Sequence, residues 1–245
     1  MSYNLDQHPG KTSPIWVVLA AVLVLLMWAF GMVTWAAAQK ISSPTTPAII
    51  TPPPGNHAFL VGHAVGTQGY VCLPTSTGAS WTVNGSRPEA TLFADGLGHN
   101  APIITHFLSP NTNPNEFAPK PLPFGNATWQ SSPDSSKVWG QTLYAIPAGS
   151  DASCPNAGAI GCLLLQSIGS EKGPAGGKIL TSTTFIQRLN TQGGAAPATG
   201  CSVAADVGKQ TLVPYTADYY FFRQTNKAFK TRRKFEFFLA PSKSF

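Results

Sequence analysis

From His57 onward the chain is built of short apolar or alternating runs, separated by Gly, Pro, Asn, Asp and Ser. The runs cover residues 57–74, 80–94, 103–109, 127–131, 137–146, 160–168, 181–190 and 210–222. Trp81 and Val83, then Ala90 and Leu92, sit on alternating positions; Val138, Gln141, Leu143 and Ala145 alternate less cleanly. Thr183, Phe185, Gln187 and Leu189 mix the two faces, but their neighbourhood has the Thr/Ile/Phe enrichment of strands. One stretch, 160–170, could be a buried helical turn; its Gly boundaries argue for a strand instead. No stretch before the tail shows a 3.6-residue apolar period. The pattern therefore predicts one all-β domain over residues 57–222, an antiparallel β-sandwich or a barrel-like sheet.

The pattern is different before that domain. Residues 15–38, from Ile15 to Ala38, carry no charge. As a helix at about 1.5 Å per residue they would reach roughly 36 Å, enough to cross a bilayer core of about 30 Å. Trp16 and Trp35 lie near the two ends, where interfacial rings are favoured. We read this segment as an N-terminal transmembrane signal anchor behind a cytoplasmic residue 1–14 segment. Cleavage after Ala38 as a signal peptide is the alternative. Residues 39–56 hold five prolines with several Ser and Thr, and predict a Pro/Thr-rich linker acting as a spacer or connector.

Charge changes the picture at the other end. The chain of 245 residues has 16 Lys+Arg and 10 Asp+Glu, a formal net charge of +6, and only 11% of its residues are charged. Residues 1–222 hold nine basic and nine acidic side chains; residues 223–245 hold seven basic ones and Glu236. The whole excess is thus a tail, in which Phe229, Phe235, Phe237 and Phe238 are interleaved with the cations. That mixture suits an anionic lipid or polymer surface, and its bland reading is a disordered extension. No nucleic-acid partner is expected of the neutral domain.

Four cysteines follow the apolar segment: Cys72, Cys154, Cys162 and Cys201. An even number behind a membrane-targeting segment reads as two disulfides in an oxidising compartment, and no C-x-x-C pair points to zinc. Three connectivities exist. The short turn-forming PNAGAIG stretch favours Cys154 with Cys162, which leaves Cys72 with Cys201. Asn84 and Asn126 open glycosylation sequons.

Several strings carry a resemblance: GHAVGTQGYVC from Gly62, PEATLF from Pro88, THFLSP from Thr105, SKVWG from Ser136, LLLQ from Leu163, TFIQRLNT from Thr184, APATGC from Ala196 and VPYTADYY from Val213. Over about residues 57–222 the chain resembles the domain-of-unknown-function family 3455, of secreted bacterial and fungal proteins. The resemblance implies a secreted, mostly β domain and brings no catalytic residues with it. Cys72 and Cys201 lie in the family pattern. Cys154 and Cys162 look like an addition, and an added pair most simply bonds to itself. The tail lies outside the resemblance. A dehydrogenase label attached to some relatives does not transfer: the string at Gly96 runs straight into Pro102, where a dinucleotide fingerprint would open a helix.

Candidate chemistry is sparse. His63, His99 and His106, with Asp95 or Asp206, would make a metal or acid–base site if the fold brought them together. No G-x-S-x-G elbow is present and the acids are scattered. Trp81, Trp129, Trp139, Tyr144, Tyr215, Tyr219 and Tyr220 would be mostly core, with an exposed stacking face as the functional alternative. Arg188, in a strand-like run, calls for a carboxylate partner or water, and Asp218 is the candidate partner. No cofactor is expected. The sequence reads as a membrane-anchored or secreted extracytoplasmic binding or structural module of the cell envelope or surface. The alternative is a secreted hydrolase or metal-dependent enzyme using a histidine/carboxylate site.

Overall fold

The computed structural model describes residues 41–94, 101–109 and 125–225, with backbone alone over 84–88. The apolar segment 15–38, Asp95, His99 and residues 226–245 of the tail lie outside the described residues. Among the described residues no helix is long and apolar enough to cross a membrane.

Eight strands form one closed antiparallel barrel in sequence order. They are β1 (Asn56–Thr75), β2 (Gly78–Ala94), β3 (Ala101–Ser109), β4 (Asn126–Ser131), β5 (Lys137–Ile146), β6 (Cys162–Glu171), β7 (Phe185–Gly193) and β8 (Gln210–Gln224). Every apolar run in the sequence becomes one strand, and the segment open to a helical reading is β6. Of the two predicted architectures the barrel is the one formed: β1 pairs with β8 from Asn56↔Gln224 to Val71↔Gln210, so neither strand is left as an edge. β8 takes in Arg223 and Gln224, the first two residues of the stretch read as tail, and the Arg223 guanidinium lies 5.0 Å over the Phe59 ring.

Alternation sets the inner face. Ala64, Leu92, Ile104, Trp129, Val138, Leu165, Ile186, Tyr219 and Phe221 fill the interior as one buried cluster. Packing an indole into so narrow a barrel needs a gap in the wall, which Gly140 supplies: a Cβ there would lie 2.9 Å from Cζ3 of Trp129. β-Bulges, among them those between Gln68 and Tyr70 and between Leu189 and Gln192, add the local twist that closure demands.

The two rims differ. At the base, where β1 begins and β8 ends, the β4–β5 turn and the β6–β7 loop meet around Asp134. Asp134 accepts hydrogen bonds from the Ser136 N–H at 3.1 Å, the Ser136 hydroxyl at 2.8 Å and the Ile179 N–H at 2.9 Å. The Ser136 hydroxyl accepts in turn from the Leu180 N–H, which sets the fully buried Leu180 into the core. Burial works most strongly against ionisation of Asp134, but these donors outweigh it and bring its pKa down to about 2. The opposite rim is the mouth.

The expected spacer is, from Ile41 onward, packed on the wall rather than extended away from it. Gln187, on the outer face of β7, donates to the Ile50 carbonyl at 2.6 Å and to Thr46 Oγ1 at 3.3 Å. Ile50 is fully buried and joins Leu164, Leu189, Ile146 and the Cys154–Cys162 bridge in a second cluster outside the barrel. Proline supplies extended backbone without demanding ladder partners, so the same composition serves a strap as well as a spacer.

Candidate functional site

Both disulfides form at the mouth, with the favoured connectivity: Cys72–Cys201 and Cys154–Cys162. Each staples a different loop. The β7–β8 loop is bound to β1 by Cys72–Cys201, and the Trp81 indole N–H donates to the Thr199 carbonyl at 2.9 Å. The β5–β6 loop is closed on itself by Cys154–Cys162. Asn156 Nδ2 fastens it to the Thr191 carbonyl at 2.9 Å, and Thr191 Oγ1 donates to the Ile160 carbonyl at 2.6 Å. The loops also meet each other, through the Ile160 N–H to the Gly193 carbonyl at 2.9 Å and a bridge of Ala159 with Gly194. Gly194 has φ +77°, and a Cβ on it would lie 2.8 Å from Cβ of Tyr215, so glycine is required at that junction.

Between these loops lies a cavity of about 410 Å³, lined by Val83, Ile160, Leu163, Ala195 and Ala196 among the apolar groups and by Gln68, Tyr70 and Arg188 among the polar ones. Arg188 sits on the inner face of β7, opposite Tyr219 on β8 and Leu163 on β6. Its Nη2 donates to the Gly161 carbonyl at 2.8 Å and its Nε to the same oxygen at 3.3 Å. The hydroxyls nearby are neutral. Burial raises the pKa of Tyr215, and its contact with Tyr219, 3.2 Å between hydroxyls, raises it further. Burial likewise raises Tyr70, whose hydroxyl donates to the Gly194 carbonyl at 2.6 Å. Deeper in, His106 stacks on Trp129 with centroids 4.4 Å apart and bonds the Thr128 carbonyl through Nδ1 at 2.9 Å. Burial, aided by the Arg188 charge and opposed by that hydrogen bond, brings its pKa down to about 4, so it is neutral at physiological pH. The Trp129 indole N–H is buried without an acceptor among the described residues.

A family model described as a protein of unknown function, DUF3455, matches residues 53–223. The chain belongs to this family. The match spans both staples and all eight strands but for Gln224, the last residue of β8, close to the span of the resemblance. No curated protein and no solved structure matches the chain.

Within this DUF3455 barrel the candidate residues separate. His63 and His106 lie on opposite faces of the wall: His106 is buried inside, whereas His63 is on the outer face. There His63 Nδ1 bonds Asp218 Oδ1 at 2.6 Å, and Asn190 Nδ2 donates to Asp218 Oδ2 at 2.6 Å. Asp218 therefore serves His63 and is not the partner of Arg188; neighbours in a strand point to opposite faces, and β8 presents Tyr219 inward and Asp218 outward. Asp206 is taken by Lys209 at 2.6 Å, just before the start of β8. Among the described residues no group of three His, Cys, Asp or Glu could hold a metal ion. Asn126 is only 6% exposed, so a glycan on it would displace the packing around it; Asn84 is described by its backbone alone. Of the seven candidate stacking aromatics, only Tyr144 is exposed; Trp129, Tyr215 and Tyr219 are interior, and Trp139 is buried on the other face of the wall. Sequence reasoning singled out Arg188 but not Gln68 or Tyr70. Their only signal was the even-numbered inward phase of β1, shared with Ala64 and Cys72.

Proposed function

We propose that the chain is an extracytoplasmic binding module of the cell envelope or surface, anchored through residues 15–38 or released by cleavage after Ala38, with the mouth cavity as its ligand seat. One observation carries the reading: two independent disulfides hold the two loops that wall one cavity. Covalent constraint placed on loops around an opening keeps that opening formed, and preformed concave sites bind small ligands. An eight-stranded barrel has room for side chains or for one small ligand. The test uses a neutral apolar fluorophore, N-phenyl-1-naphthylamine, with the oxidised full chain. Saturable, blue-shifted fluorescence is expected, and Ala196→Trp should abolish it at an unchanged melting temperature. Undiminished binding by that variant would remove the cavity as the seat.

A hydrolase reading draws on a different observation, the Asp218-oriented His63 on the outer face, an arrangement able to act as a general base. Its test is p-nitrophenyl acetate turnover above the buffer rate that disappears in His63→Ala. For the basic tail we propose contact with anionic lipid. Co-sedimentation with phosphatidylglycerol vesicles should then be lost when the chain ends at Thr225.

A further inference from the structure

We infer that the mouth cavity takes an organic carboxylate with an apolar body, its carboxylate held by Arg188; this rests on the mouth cavity being the ligand seat. A guanidinium drawn into a partly buried, largely apolar setting is costly without a counter-charge. The ion pairs among the described residues are His63–Asp218, Lys137–Glu171 and Lys209–Asp206, and Arg188 is in none of them. The remaining described carboxylates are placed elsewhere: Asp134 is clamped at the base, Asp151 caps the turn to Ser153, and Glu89 is exposed on β2. Arg188 has five N–H donors. Its two contacts with the Gly161 carbonyl leave three donors with no partner among the described residues.

The surroundings narrow the anion. Tyr70 and Tyr215 stay protonated, so neither hydroxyl offers a negative charge to the guanidinium. Among the described residues Arg188 is the one cationic side chain lining the cavity, and a planar guanidinium matches a single carboxylate. A dianionic phosphate would call for more cations than one. The rest of the lining, Val83, Ile160, Leu163, Ala195 and Ala196, offers an apolar seat to the ligand's body. A volume of about 410 Å³ lies toward the small end of ligand sites, which suits a short acyl or aryl acid.

The experiment compares octanoate with 1-octanol, one body with and without the charge, by calorimetry at pH 7.5 on the oxidised full chain, with displacement of N-phenyl-1-naphthylamine in parallel. Octanoate should bind about tenfold to a hundredfold more tightly, the range of a charge-assisted hydrogen bond. Arg188→Gln should reduce octanoate to the level of octanol while still binding the neutral fluorophore. Arg188→Lys, which keeps the charge but loses the planar fork, should retain part of the preference, and it carries the test if the Gln variant does not fold. Equal affinity for the two ligands in the wild type, or an undiminished preference in Arg188→Gln, would overturn the carboxylate assignment while leaving the cavity as a seat. Inorganic phosphate displacing the fluorophore as well as octanoate does would also overturn it. Failure of the fluorophore, octanol and octanoate alike would instead remove the ligand seat itself, and the carboxylate assignment with it.

Discussion

The base and the mouth of this barrel solve the same problem by different means. At the base, loops are drawn over the end of the core by a carboxylate that collects backbone and hydroxyl donors, and Leu180 seals the rim. Packing and hydrogen bonding are enough there, because the loop settles onto apolar side chains. At the mouth the loops wall a cavity, and only parts of them, Ile160 and the Cys154–Cys162 bridge, are buried in apolar clusters. Disulfides are added there, Cys72–Cys201 on one loop and Cys154–Cys162 on the other. The lesson is that the covalent bonds are concentrated on the loops that wall the mouth.

Removing the long staple should show the contrast most strongly. Cys72→Ala with Cys201→Ala opens a loop of 129 residues and should cost about 5 kcal/mol by loop-closure entropy, read as a drop in urea midpoint with a steeper slope, because the unfolded chain becomes less compact. Acid should then separate the interior from the base. The unfolded chain protonates histidine near 6.5, whereas folded His106 resists to about 4. Its folded pKa is depressed, so stability is full above pH 6.5, declines as pH falls toward 4 and levels off below, a loss on the order of 3 kcal/mol. His106→Phe should flatten that window of a pH–denaturation series. The short staple should matter less to stability: Cys154→Ala with Cys162→Ala releases a separation of 8 residues, worth about 2.5 kcal/mol. Fluorophore binding at the mouth should nevertheless fall with it; retained binding would break the comparison. Smallest is Asp134→Asn, about 1–2 kcal/mol, since the carboxylate is partly solvated. Asp134 has a depressed pKa, so its contribution is present above its ordinary value of 3.8 and is lost as pH falls through about 2, a window separate from that of His106.

Much of this architecture was legible in the residues. Period-2 runs bounded by turn formers located all eight strands, because burial on one face of a sheet dictates alternation. The bridges followed from the short turn between Cys154 and Cys162. Barrel and sandwich could not be told apart, since that depends on whether β1 meets β8, a pairing that alternation within one strand does not encode. The strap was misread for a related reason: the prolines of residues 41–56 fix an extended backbone, but what it lies against is decided by Gln187 and Leu189 far along the chain. The mouth was the least legible. Arg188 stood out, yet its assigned partner, Asp218, faces the other way, because the strand register that pairs Arg188 with Tyr219 is a property of the assembled sheet.

The closure of β1 on β8 also imposes an order in time. A chain made and exported from its N-terminus delivers β1 first and β8 last, so a strand of 20 residues waits for one of its two neighbours until Gln224 has emerged. Cys154 and Cys162 arrive nearly together and can oxidise early, whereas Cys72 must stay reduced until Cys201 follows. During that interval the lone thiol and the open strand are both exposed to wrong partners. Efficient production of this protein should therefore depend on oxidant strength, and a milder thiol–disulfide buffer should raise the yield of the correctly bridged barrel.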